Sequence, residues 1–201
     1  SVLIFDGIFQ YFNGTNIIGL KHPHPDRLTS FFDRNLKLGS FLARTLPLLI
    51  AFLIIKKNYS GWNILASTIL LALTDILIFL AMERAAFYLS ILATVYIIIF
   101  ISSKKIIRIA SFILAIGVIT VITNTNELVG GRMIDQTIKS IKNTIDKGEP
   151  FTPSHSSLYK TSFALFQDNY IIGIGPKMFR KKCNDVSIKN SRCSTHPHNT
   201  Y

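Results

Sequence analysis

The residues best suited to chemistry stand at the end of the chain. His196-Pro197-His198-Asn199 places two imidazoles around a proline and beside a carboxamide, with Cys193 just upstream. A neutral imidazole accepts a proton near pH 7, which suits a general base. Glu83-Arg84 interrupts a long apolar stretch. Two readings of Arg84 stay open: an interfacial anchor at a membrane boundary, or an anion site, since a guanidinium pairs bidentately with phosphate. The abrupt end at Tyr201 reads as the end of a piece of a longer protein.

His22, His24, His196 and His198 together could offer four nitrogens to zinc. A proline between two histidines keeps the backbone extended and sends the imidazoles to different sides. No metal and no cofactor are therefore expected.

These residues need elements to hold them, and composition says which kind. Only 16% of the 201 residues are charged and 49% are hydrophobic, whereas soluble domains carry about 25% charged residues. Apolar runs at 46–55, 64–82, 85–101 and 106–122 are long and almost uncharged. A helix needs about 20 mostly apolar residues to cross the hydrocarbon, and about 17 at the least. With the first run extended back to Leu38, four transmembrane helices are expected in an all-α membrane protein. The apolar start, residues 1–12, reads as the stub of a preceding membrane helix. The domain plan is then an outer loop over 1–37, four spans over 38–123, and a large outer segment with amphipathic helices over 124–201.

The net charge of +11 would suggest nucleic acid in a soluble protein. Here Lys56-Lys57, and Lys104-Lys105 with Arg108, fall in two short loops between apolar runs. That is the pattern of cytoplasmic loops, so no nucleic-acid partner is expected. It places residues 13–37, Glu83-Arg84 and 124–201 together on the outer side.

Within the outer segments, Gly, Pro and Asn over 13–37 predict turns. Ile134, Ile138, Ile141 and Ile145 form one apolar face and predict an amphipathic helix over 132–147, stopped by Gly148 and Pro150. A second helix is expected over 156–167, and Gly173-Ile174-Gly175-Pro176 reads as a tight turn. Cys183 and Cys193 are the only cysteines, and an oxidising exterior permits a disulfide between them. Asp75 lies in the middle of a span, where a carboxylate serves either as a proton or ion relay or as an interior hydrogen-bonding group. It stands alone and far in depth from the outer motifs, so the interior role is the reading taken.

Phe5-Asp6-Gly7 through Asn13-Gly14, Arg27-Leu28-Thr29-Ser30-Phe31-Phe32, Leu38-Gly39-Ser40 through Pro47, Glu83-Arg84, Gly173-Ile174-Gly175-Pro176 and His196-Pro197-His198-Asn199-Thr200-Tyr201 resemble, in order, the O-antigen ligase and O-antigen polymerase superfamily. These are bacterial inner-membrane glycosyltransferases of the GT-C type. The resemblance implies a site made of Arg27, Arg84 and His198, with Asn199 orienting substrate or the histidine. It implies a glycan donor on undecaprenyl diphosphate at the periplasmic face and a saccharide or lipid A-core acceptor. It further implies metal-independent transfer with inversion. A transporter or flippase for a lipid-linked saccharide would share the membrane frame and the arginines. It would more naturally show internal repeats or helices broken near the midplane; no repeat is seen, and the conspicuous residues lie at the outer face instead.

Overall fold

A computed structural model describes residues 2–21, 27–55, 60–101, 104–146, 153–175, 177–185 and Cys193. Regular structure among these residues is helical, apart from one isolated antiparallel bridge between Thr15 and Lys21. Helix is the form that satisfies every backbone group within one apolar segment, as lipid demands. Five helices come first: α1 Val2–Asn13, α2 Leu38–Ile55, α3 Gly61–Leu80, α4 Arg84–Phe100 and α5 Lys105–Thr125. The Ser60 hydroxyl accepts from the Asn63 amide at 3.4 Å and caps α3.

Two of the helices, α3 and α5, are long and apolar enough to cross a membrane. The apolar stretches 38–53 of α2 and 84–100 of α4 are shorter. At 1.5 Å per residue, a helix of about 17 residues spans about 25 Å of a hydrocarbon layer about 30 Å thick.

The packing of α2 to α5 departs from that of a soluble protein in two respects. Large apolar side chains such as Phe52, Tyr96, Ile99 and Ile106 are exposed, while Ser67, Thr74, Asp75, Ser90, Thr94, Arg108 and Ser111 are buried. Polar groups buried beside an apolar core, under an apolar exterior, suit lipid, where small and polar residues hold helices together. Ala72 of α3 and Ala115 of α5 are fully enclosed, consistent with close approach of these two helices.

Inside this bundle Asp75 faces Arg108. The guanidinium donates from Nη1 to Oδ2 at 2.6 Å and from Nη2 to Oδ1 at 3.0 Å. It also donates to the Thr94 hydroxyl of α4 and lies 5.6 Å from the Phe112 ring centre. One residue thus links α3, α4 and α5. The interior role read for Asp75 has found its partner, and the expectation for Arg108 is corrected. Arg108 is not a loop charge: it lies one turn inside α5 and is buried. A local window sees its charge as a boundary, whereas a carboxylate on a different helix makes its burial tolerable. Lys104 precedes α5 in the loop expected of it and Lys105 is the first residue of the helix; Lys56 and Lys57 lie outside the described residues.

The first loop is folded onto α1 rather than free. Asp6 and Gln10, four residues apart on one face of α1, are both fully buried. Asp6 accepts from the Ile17 amide at 2.9 Å and from the Ser30 hydroxyl. The Gln10 carbonyl accepts from the amides of Thr29 at 3.1 Å and Ser30 at 2.7 Å. Asn16 completes the network by donating to the Ser30 carbonyl at 3.3 Å and accepting from Leu20 at 2.7 Å. A buried backbone N–H left without such a partner costs about 1–3 kcal/mol, so these side chains set the path that brings Arg27 toward the bundle.

After α5 come α6 Glu127–Gly130, a π-helical turn Gly131–Asp135, α7 Gln136–Asp146, α8 Pro153–Asp168 and α9 Phe179–Lys182. The chain forms two compact units, Ser1–Asp135 and Gln136–Tyr201. Val129 and Met133 pack into the core of the first unit, which carries it past the end of α5. The amphipathic helix expected over 132–147 is α-helical over Gln136–Asp146, and its Ile138, Ile141 and Ile145 are exposed. Lys147, Gly148 and Pro150 lie outside the described residues. In the second unit Leu158 and Leu165 of α8 pack with Phe179 and Cys183. The turn expected before α9 is present, with Gly173 and Gly175 at φ +72° and +84°, where glycine avoids the strain of a side chain; Pro176 lies outside the described residues.

Candidate functional site at the turn between α3 and α4

Three residues, Ala81 to Glu83, join α3 to α4, and Met82 adopts a left-handed backbone with φ +54°. For a residue bearing a side chain that conformation costs on the order of 1–2 kcal/mol. It persists because the turn is held on several sides. The side chains of Ala81 and Met82 are buried in the core that also holds Leu38, Leu42 and Ala86.

Glu83 supplies the polar hold. It precedes α4 yet makes no side-chain cap for that helix. Its carboxylate reaches across to α2, accepting from the Gly39 amide at 2.9 Å, the Ser40 amide at 3.1 Å and the Ser40 hydroxyl. The first amides of a helix have no partner within it and carry partial positive charge, so a carboxylate there is favourable. The approach is close. A Cβ added at Gly39 would stand 3.2 Å from the Cβ atoms of both Ala81 and Glu83, which explains glycine at this position.

Arg84 is the first residue of α4 and is half-buried. Among the described residues its side chain makes no hydrogen bond or ion pair. Arg27 arrives from the first loop, and its Nη2 donates to the Met82 carbonyl at 3.2 Å. The structure therefore brings Arg27 to the turn that Arg84 closes, across 55 positions of sequence. Guanidiniums at one end of the bundle, one with its side chain uncommitted, can bind an anion such as a phosphate.

His22, His24, His196, His198 and Asn199 lie outside the described residues. The chain leading to His198 is described at Cys193, which is bridged to Cys183 with Cα atoms 5.5 Å apart. Cys183 is buried against α8 and α9, so the bridge ties the chain three residues before His196 to the core of the second unit.

Sequence reasoning passed over Asp6, Gln10, Asn16 and Ser40 as working residues and took Glu83 only together with Arg84. A signal existed for the first pair: two polar residues at i and i+4 in an otherwise apolar helix. Their partners, loop amides more than ten positions away, carry no sequence mark.

Compared with known proteins, residues 67–201 match the sequence model of the family described as O-antigen ligase. The match includes Glu83, Arg84, both cysteines and His198, while Arg27 lies before it. No curated protein and no solved structure matches the chain.

Proposed function

Because the chain belongs to the O-antigen ligase family, we propose that it transfers or polymerises glycan from an undecaprenyl-diphosphate-linked donor at the periplasmic face of the bacterial inner membrane. Membrane association and enzymatic glycosyl transfer, with a lipid-linked glycan and a saccharide acceptor as substrates, come with the family. The finer reading has four spans, α2 to α5, with Lys104-Lys105 cytoplasmic and the turn at Arg84 periplasmic. Basic residues in a short loop support that orientation.

In the proposed reaction, an acceptor hydroxyl, on a saccharide or lipid A-core, attacks the anomeric carbon from the face opposite the diphosphate. The carbon–oxygen bond to the diphosphate breaks as the new glycosidic bond forms, and configuration inverts. His198 takes the hydroxyl proton. Arg27 and Arg84 stabilise the charge that accumulates on the departing undecaprenyl diphosphate, so the step needs no metal. Asn199 orients the substrate or the imidazole.

The observation that carries this reading is the arrival of Arg27 at the Met82 carbonyl, beside Arg84. A lipid diphosphate is the leaving group for which two such cations are suited. The test is Arg84→Ala in the full-length protein, assayed for transfer from the native lipid-linked donor. Loss of about 10²–10³-fold in turnover is expected, the usual effect of removing one group that stabilises developing charge. Arg84→Lys restores little, because an ammonium lacks the planar fork. Wild-type turnover in Arg84→Ala would refute the assignment.

A further inference from the structure

Glu83 sits where a catalytic carboxylate is easily imagined, next to Arg84 at one end of the bundle. Its bonding argues for something else. Both oxygens already accept hydrogen bonds, Oε1 from the Gly39 amide and Oε2 from the Ser40 amide and hydroxyl. A carboxylate committed to three donors is poorly placed to take a proton from a substrate.

The same bonds give it another task. They clamp the last residue before α4 to the first turn of α2. The clamp acts on a turn whose Met82 is in a left-handed conformation and whose Met82 carbonyl receives Arg27. Both proposed anion-binding groups are thus tied to one short piece of backbone, and Glu83 is the polar anchor of that piece. Strained backbone held on several sides is a recurring feature of functional sites.

We infer that Glu83 is a positioning residue for the lipid diphosphate: by capping α2 it fixes the turn that sets Arg84 and the carbonyl anchor of Arg27 in place. This rests on the arginine roles proposed above. It adds a residue that touches no substrate and governs donor recognition alone. Displacement of a charged group by about 1 Å can cost as much as 10²-fold in rate, so loss of the clamp has a measurable effect.

The experiment uses the full-length protein in proteoliposomes, with undecaprenyl diphosphate as the binding probe and the native lipid-linked donor for kinetics. Variants are Glu83→Ala, Glu83→Gln, Arg84→Ala and Glu83→Gln combined with Arg84→Ala. Glu83→Ala is expected to weaken probe binding and raise the donor KM by about tenfold, with the acceptor KM unchanged. Glu83→Gln keeps side-chain volume and an amide oxygen for one backbone N–H, so it folds and shows a smaller effect of the same kind. Once Arg84 is alanine, Glu83→Gln has a smaller further effect on probe binding, the part that passes through the carbonyl anchor of Arg27. A merely structural residue would lower the folded fraction and leave the donor KM of the folded protein alone.

Folded Glu83→Gln with unchanged donor KM and probe affinity, alongside an impaired Arg84→Ala, overturns this inference and leaves the reading of Arg84 standing. Wild-type binding in Arg84→Ala overturns both.

Discussion

In the full-length protein, His198→Ala is expected to reduce glycan transfer by about 10²–10⁴-fold, a barrier increase of about 3–5 kcal/mol. A sugar hydroxyl holds its proton tightly at neutral pH and is a weak nucleophile until a base removes that proton during attack. His198 is the group proposed to do so. Without it water must serve, and the rate that remains reflects donor binding and leaving-group stabilisation. The loss is therefore expected in kcat, with undecaprenyl diphosphate binding unchanged. The acid limb of the pH–rate profile should vanish in the variant, because that limb reports protonation of the base. His196→Ala is expected to stay near the wild-type rate, since the proposed base is His198 alone. Comparable losses in both variants, or an intact acid limb in His198→Ala, would exclude His198 as the base.

The second large effect belongs to stability. Arg108→Ala leaves the Asp75 carboxylate, 1% exposed, inside the bundle without its cation. Removing one partner of a buried ion pair costs about 3–5 kcal/mol. Asp75→Ala is expected to cost a similar amount by stranding the guanidinium. The double variant Asp75→Leu with Arg108→Met removes both charges and replaces them with apolar volume. It should recover most of the loss, because buried pairs contribute little beyond compensating each other's desolvation. Resistance to unfolding by SDS in mixed micelles measures all three. Single variants as stable as the wild type would show that the pair is not closed in the membrane, and an additive double variant would show that the two residues do not act together.

The helices were legible in the sequence because lipid imposes a simple code: apolar runs of sufficient length become helices. The bounds expected for α2, 38–55, coincide with the observed Leu38–Ile55. The end of α3 was placed at Met82, two residues late, because composition does not reveal the left-handed backbone that stops the helix at Leu80. Arg108 was misplaced for a related reason. A charge near the end of an apolar run signals a boundary unless a counter-charge lies elsewhere, and Asp75 is 33 positions away on another helix. The same limit applied to the site. Arg84 and Arg27 drew attention by type and context, but the Met82 carbonyl that receives Arg27 is a backbone atom that no motif can mark. Glu83 looked like half of a charged pair with Arg84, while its bonds run to the amides of α2.

The Asp75–Arg108 pair also bears on how the protein enters the bilayer. A ribosome makes about 5–20 residues per second, so Arg108 emerges about 2–7 s after Asp75, 33 residues earlier. In that interval α3 carries a lone carboxylate whose transfer to the centre of a membrane helix costs about 2.5–3.5 kcal/mol. Its apolar neighbours can offset this cost, and the guanidinium that completes the pair arrives with α5. Biogenesis is therefore expected to be a joint event, with α3 and α4 retained beside the insertion machinery until α5 joins them. Nascent chains arrested before α5 should crosslink from α3 to the translocon, and chains arrested after α5 should crosslink to lipid. With Arg108→Ala the second class should stay at the translocon; release to lipid at the wild-type length would show that α3 inserts unaided.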